Sequence, residues 1–221
     1  MLSFQNVTRN FHLDDATTIT PVRDVSLDIN RGDFVIIFGR SGTGKTTLLN
    51  LAAGLIKPTS GKVKMDNQEL SEMTDSQLSS LRSRKIGFVF QFPSLLPALT
   101  VKENLCVPAE LSGRKDAGTK AIMLLEMVGL AGKKDVYPRH LSAGEQKRIV
   151  LARALINEPQ LILADEPSSD LDDRTENEVM GILRDYNNKG VTFLVVSHNT
   201  QLLAFANRAF QMENGRLDKL K

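Results

Sequence analysis

The sequence has one cysteine, Cys106, which excludes an internal disulfide and any cysteine-based zinc site and fits a reducing cytosol. No apolar run approaches the roughly 20 residues that a membrane-spanning helix needs. The start, Met1-Leu2-Ser3-Phe4-Gln5-Asn6, lacks a basic segment followed by an apolar stretch, so no secretory signal is expected. Net charge is only +2 and no long basic run stands out, which gives nucleic acid no footing as a partner. Internal repeats and low-complexity linkers are missing too. What remains is 221 residues, 41% hydrophobic and 24% charged, the balance of a soluble globular protein with enough chain for one full core.

Chemistry is concentrated in three short segments. Gly39-Arg40-Ser41-Gly42-Thr43-Gly44-Lys45-Thr46-Thr47 fits the phosphate-loop pattern, with Gly39, Gly44, Lys45 and Thr46 at its fixed positions. The apolar, β-branched run Phe34 to Phe38 before it reads as a buried strand, and Thr47 to Ala53 after it reads as a helix. In that context the glycines let successive N–H groups face phosphate oxygens at a helix N-terminus. Lys45 can reach the β- and γ-phosphates, and the Thr46 hydroxyl can ligate Mg²⁺. The plainer alternative is a glycine-rich turn without a ligand; Lys45-Thr46 and both flanks weigh against it.

The second segment, Leu161-Ile162-Leu163-Ala164-Asp165-Glu166, is an apolar run ending in an acidic pair. A strand buried on both faces delivers its terminal carboxylates to the sheet edge where open α/β folds bind ligands. There Asp165 would hold Mg²⁺ and Glu166 would polarise the water that attacks the γ-phosphate. Alone, such a pair reads as a solvated turn, but a phosphate loop upstream reverses that. The third segment, Leu141-Ser142-Ala143-Gly144-Glu145, reads as a capping box opening a helix from Gln146 to Ile156. A capped helix start is also an anion site, so both roles stay open for Ser142 and Gly144.

In this order the three segments resemble the ATP-binding subunits of ABC transporters, and the resemblance covers nearly the whole chain. Gln91 stands where that family has its Q-loop glutamine, His198 where it has its switch histidine, and Ser169-Asp170-Leu171-Asp172 resembles the D-loop. Phe11 occupies roughly the position of the aromatic that stacks on adenine. Within the family the chain is similar to the lipoprotein-releasing and macrolide-exporter group, with the cell-division ATPase nearby. Gln91-Phe92-Pro93-Ser94-Leu95-Leu96-Pro97, Glu145 in place of Gln, and Leu163 to Pro167 carry that likeness. Ala143 and Asn199 depart from the family pattern, which has Gly and commonly Asp there. The Cβ at 143 is expected to restrict the backbone and weaken closure on a second chain's phosphate.

The resemblance implies an α/β fold, a P-loop NTPase core of ABC ATPase type with an N-terminal antiparallel β subdomain. It implies one domain over 1–221, with a helical subdomain inserted at approximately 92–139. It also implies ATP and Mg²⁺ as cofactors and Glu166, His198 and Gln91 as catalytic residues. Phe11, Gly39 to Thr47, Ser142, Gly144, Glu145 and Asp172 would contact nucleotide, and Thr46, Gln91 and Asp165 would serve the metal. Two copies would close head to tail on ATP and drive a separate transmembrane permease subunit, placing the chain in the cytoplasm on the inner membrane face. Two rivals stay open: a soluble ABC-type ATPase, as in iron–sulfur assembly, and a regulatory ATPase of a membrane partner, as in cell division.

Pattern along the chain predicts strands at Leu2 to Thr8, Val25 to Ile29, Asp33 to Phe38 and Lys62 to Met65. Thr74 to Arg84 reads as a helix leading to the strand Ile86 to Phe90, and Thr192 to Val196 as a further strand. Ala121, Leu124, Leu125 and Val128 recur at helical spacing before Gly129, a C-cap residue. Asp173 and Glu176 read as a second capping box, Val179, Ile182, Leu183 and Tyr186 as a buried stripe, and Glu213 to Arg216 as a hairpin turn. Phe92, Leu95, Leu96 and Leu99 either pack the helical subdomain or line an apolar cleft for a partner helix.

Overall fold

The computed structural model describes residues 1–12, 14, 17–169 and 171–221. In chain order the elements are β1 (Leu2–His12), β2 (Thr18–Ile29), β3 (Phe34–Phe38), α1 (Lys45–Ala52), β4 (Ser60–Met65), β5 (Gln68–Glu69), α2 (Asp75–Lys85) and β6 (Ile86–Val89). There follow α3 (Val101–Leu111), α4 (Ala117–Met127), α5 (Ala143–Leu155), β7 (Leu161–Asp165), α6 (Asp173–Asn188), β8 (Thr192–Ser197), β9 (Arg208–Glu213) and β10 (Arg216–Lys219). The chain forms two compact units, Met1–Leu78 with Thr192–Lys221, and Ser79–Val191. Among the described residues no helix is long and apolar enough to cross a membrane.

The first unit holds an antiparallel sheet in the order β2-β1-β4-β5 and the strands β10-β9-β3-β8. β3 runs parallel to β8 and to β9, so Phe38 lies beside Ser197 and both strands release their loops at one edge. Every residue of β3 and β8 is buried, and Phe34 stacks on Phe193 with ring centroids 5.0 Å apart. Burial of each such side chain is worth about 1.5–3 kcal/mol, which makes this strand pair the rigid floor under the phosphate loop. β1 and β2 are longer than alternation predicts. Pro21 and its polar neighbours mask the first half of β2, but β2 is an edge strand, where proline leaves no ladder bond unmade. The expected hairpin closes β9 onto β10 through Asn214 and Gly215, both at positive φ.

In the second unit β6 and β7 run parallel, pairing Ile86 with Leu161 and Val89 with Ala164. The sequences leading to Gln91 and to Glu166 therefore leave neighbouring strand ends. The helical segment appears as α3 and α4, which pack on each other and on α5. Residues 92–100 are not helical. They are held by Asn104, fully buried, whose amide donates to the carbonyls of Leu96, Leu99 and Thr100, each at 3.0 Å, and accepts from Leu96 N–H at 2.7 Å. Arg153 clamps the same stretch, donating to Ser94 O at 2.7 Å and Ser94 Oγ at 2.9 Å. Gly129, at φ 71, follows α4 as expected.

The second capping box is not where the pattern put it. Asp172, one residue earlier, caps α6 by accepting from Thr175 N–H at 3.0 Å. Two consecutive aspartates leave the register ambiguous in sequence, and Thr175 settles it by adding its hydroxyl to Asp172 at 2.8 Å. Glu176 instead turns inward, where its carboxylate accepts from the buried Ser168 hydroxyl at 2.6 Å.

Candidate functional site

In the first unit Gly39 to Thr46 bridges β3 and α1. Gly39 N–H donates to Ser197 O at 3.3 Å, and the turn closes through Thr43, whose N–H and hydroxyl reach Arg40 O at 3.4 and 2.9 Å. Gly44 is the N-cap of α1 at φ 105, and no side chain caps this helix. The positive end of the helix dipole therefore faces the loop without a side-chain cap, which suits an anion. A Cβ at Gly44 would lie 1.8 Å from Pro21 O, so β2 presses on the loop at a point where only glycine fits.

The Lys45 side chain is buried and folds back over the loop, donating from Nζ to Gly39 O at 2.7 Å and Arg40 O at 3.1 Å. This is a cation held over a glycine-rich loop at a helix N-terminus, an arrangement suited to phosphate oxygens. Thr46 is exposed and Thr47 half-buried in the first turn. A cleft of about 650 Å³ flanks the loop, lined by Ile19, Pro21, Arg40, Thr43, Met212 and Asn214. Phe11 lies across the β1–β2 ladder from Ile19, half-exposed, with the Arg9 guanidinium 4.5 Å from its ring centroid. His198 is exposed directly after β8. Asn199 caps the following turn by accepting from Gln201 N–H at 2.9 Å.

In the second unit Asp165 ends β7 and Glu166 follows it, each only 6% exposed. Glu166 adopts φ 47, a conformation costing a side-chain-bearing residue about 1–3 kcal/mol. Its carbonyl accepts from Ser169 N–H at 3.2 Å and Ser169 hydroxyl at 3.1 Å. Gln91 is exposed beyond β6.

The expected capping box on α5 is present: Glu145 N–H donates to Ser142 Oγ at 3.3 Å and Ser142 N–H to the Glu145 carboxylate at 3.0 Å. Lys133 donates to the other Glu145 oxygen at 2.5 Å. That ammonium first, and the Ser142 N–H next, hold the Glu145 carboxyl below the usual carboxylate range. Asp172 is likewise held low, chiefly by the Thr175 N–H. Both carboxylates are thus engaged within their own chain. Gly144 packs against Thr175, where a Cβ would meet Cγ2 at 2.8 Å.

Ala143 is an exposed residue in the first turn of α5, without a positive φ. The backbone restriction expected from its Cβ does not arise, because alanine is the residue most at ease in a helix. Asp170 of the D-loop-like segment lies outside the described residues.

Sequence reasoning missed Lys147, a buried lysine of α5 that donates to the carbonyl oxygens of Gln91 and Glu166. The available signal was its spacing, three and four residues before the buried Val150 and Leu151, which places it on the inward face of the helix. The apolar stretch after Gln91 is mixed: Phe92 and Leu96 are 73% and 45% exposed, whereas Leu95 and Leu99 are half-buried. Leu96 joins Phe88, Phe90, Val107, Leu111 and Arg153 around a groove of about 720 Å³.

Residues 22–169 match the family model described as ABC transporter. The chain is 40% identical over 220 residues to a protein named lipoprotein-releasing system ATP-binding protein LolD from Shewanella oneidensis, covering 98% of this chain and 95% of that one. It is 42% identical over 202 residues to the macrolide export ATP-binding/permease protein MacB of Mannheimia succiniciproducens, but spans only 31% of that relative's length. Among solved structures it is similar, at 36% identity and a TM-score of 0.94, to a dimeric post-hydrolysis state of the ATP-binding cassette MJ0796 bound to ADP and Pi. That likeness covers 100% of this chain and 98% of the other.

Proposed function

Since the chain belongs to the ABC transporter family as an ATP-binding, ATP-hydrolysing subunit, we propose that it acts as a head-to-tail homodimer that drives a separate membrane permease. The observation that carries this reading is the uncapped N-terminus of α1 with the Lys45 ammonium laid over the loop before it. It is a ready phosphate cradle. Lys45 would move from the Gly39 and Arg40 carbonyls onto the β- and γ-phosphates, and Phe11 would stack on the base with Arg9 on its other face. The donors assigned to Mg²⁺ are the Thr46 hydroxyl, the Asp165 carboxylate and the Gln91 amide oxygen. All are hard oxygen donors, which suits a cation that keeps several waters and leans on substrate phosphates. Bound there, Mg²⁺ would neutralise charge on the transferring phosphoryl group.

Glu166 would accept the proton of the attacking water, its aim fixed by the backbone bonds to Ser169, while His198 would hold the γ-phosphate. Ser142 and Gly144 at the start of α5 would meet the γ-phosphate on the partner copy. ATP would then favour the closed pair because both surfaces share its contacts, and hydrolysis would remove them. The dimeric relative supports this arrangement. The lipoprotein-releasing and macrolide-export relatives favour transport over soluble ATPase work or regulation. Their names give different cargoes, and on this reading cargo choice would lie with the membrane partner. The groove around Leu96 would seat a short cytoplasmic helix of that permease and so hold the chain at the inner membrane face.

The test pairs two variants of the purified chain. Lys45→Ala should abolish binding of a fluorescent ATP analogue. Glu166→Gln should bind it normally, hydrolyse ATP about 10²–10⁴-fold more slowly, and shift from monomer to dimer in light scattering with MgATP. Unchanged binding by the first variant, or a monomeric mass for the second at high concentration, refutes the reading.

A further inference from the structure

We infer that Lys147 is a positioning residue for hydrolysis, a tie that holds the Gln91 loop and the Glu166 turn to the helix opened by Ser142. The inference rests on the ATPase reading above. Lys147 is 5% exposed, and its ammonium donates to the carbonyl of Gln91 through a short bond, to the carbonyl of Glu166 at 3.3 Å and to the hydroxyl of Ser169 at 3.3 Å. These acceptors belong to the segments that follow β6 and β7, and they include the backbone of both residues assigned to water and metal. An ammonium has three N–H donors and no preferred plane, so it can serve oxygens that arrive from different loops.

Stability does not account for such a residue. Burying a charge costs several kcal/mol, and a hydrophobic side chain of similar volume is often neutral or better. What the ammonium supplies is geometry. Glu166 sits at φ 47, outside the ordinary basins, and its carboxylate direction follows from that backbone. The Glu166 carbonyl accepts from Ser169 and from Lys147 together, and Lys147 also donates to the Ser169 hydroxyl, so the three groups form one cluster around that peptide. Lys147 lies in the second turn of α5, whose N-cap is Ser142. A shift of the start of α5 therefore reaches the Gln91 and Glu166 backbones through one side chain, with no intervening loop to absorb it.

The experiment uses the full chain with Lys147→Met, which removes charge and donors at similar length, and Lys147→Gln, which keeps two N–H donors. Lys147→Met should lower kcat by about 10²-fold, the scale of a misplaced catalytic group, while the KM for ATP and the Kd of the fluorescent analogue change by less than about twofold. Its Tm should be unchanged or raised, and Lys147→Gln should recover much of the lost kcat. A kcat for Lys147→Met close to wild type overturns the inference. So does a parallel loss of kcat and Tm that glutamine does not restore, or a methionine variant that fails to fold beside a glutamine variant of normal activity. Wild type and Lys45→Ala are run alongside. If wild type does not hydrolyse ATP, or Lys45→Ala binds it normally, the ATPase reading falls and takes this inference with it. If those controls behave and Lys147→Met keeps its kcat, only the inference falls.

Discussion

Two glycines of the phosphate loop separate backbone conformation from room. Gly42 and Gly44 both have positive φ, 81 and 105, so an L side chain is strained at either. At Gly42 an added Cβ meets nothing within 4 Å, whereas at Gly44 it lies 1.8 Å from Pro21 O and 2.8 Å from Pro21 C. Gly42→Ala should therefore cost conformational strain alone, about 1–3 kcal/mol. Gly44→Ala adds overpacking against backbone that cannot rotate away, about 1–3 kcal/mol more. For a chain of this size each kcal/mol moves Tm by about 2–4 °C. The two variants should be separated by at least about 2 °C, with Gly44→Ala the lower. Scanning calorimetry without nucleotide is the assay, since bound ATP would stabilise one variant more than the other by mass action. A Gly44→Ala protein that melts no lower than Gly42→Ala would refute the claim that β2 is packed onto the loop at this point.

Leu96→Glu places a charge in the groove beside α3 without touching nucleotide residues. It should change stability by no more than about 0.5 kcal/mol and leave basal ATPase activity intact, while capture of an integral membrane protein from detergent-solubilised membranes is lost. Unchanged capture, or a clear fall in Tm, would instead assign Leu96 to core packing. Lys133→Met should destabilise the chain slightly at neutral pH, by less than about 1 kcal/mol because the lysine is 41% exposed. The Glu145 carboxyl is depressed in the fold, so its contribution is present above the usual carboxylate range and is lost as pH falls through its lowered value. The Tm values of wild type and Lys133→Met should accordingly converge on acidification, and a gap that persists in acid would argue against the ion pair.

The parts of this fold that read directly from sequence are those whose physics is local. β3, β7 and β8 are built on short apolar runs, and the residues at or just beyond their ends include the phosphate-loop lysine, the acidic pair and the histidine. The Ser142–Glu145 capping box is equally local, since both partners lie within one turn. The first half of β2 was not legible because its stability comes from β1, its ladder partner, and not from its own residues. Asn104 and Lys147 were missed for a related reason. Each is a single polar residue whose acceptors lie on irregular segments with no periodic pattern, just before the helix for Asn104 and on loops distant in sequence for Lys147, and only its position on the buried face of a helix betrays it. The contrast between exposed Leu96 and half-buried Leu95 depends on where Asn104 and Arg153 anchor the intervening backbone.

Under the proposed role of Glu166, the residue the fold would choose at this position and the residue the chemistry requires are different. At φ 47 a glycine or asparagine would sit with less strain, and the next turn would still form through the main-chain carbonyl. A redesign scored on thermal stability alone would be drawn to that position and would gain by erasing the carboxylate. If Glu166 has the role proposed for it, the strain is a cost the fold carries on behalf of its reaction, and melting temperature becomes an unsafe guide for engineering this chain.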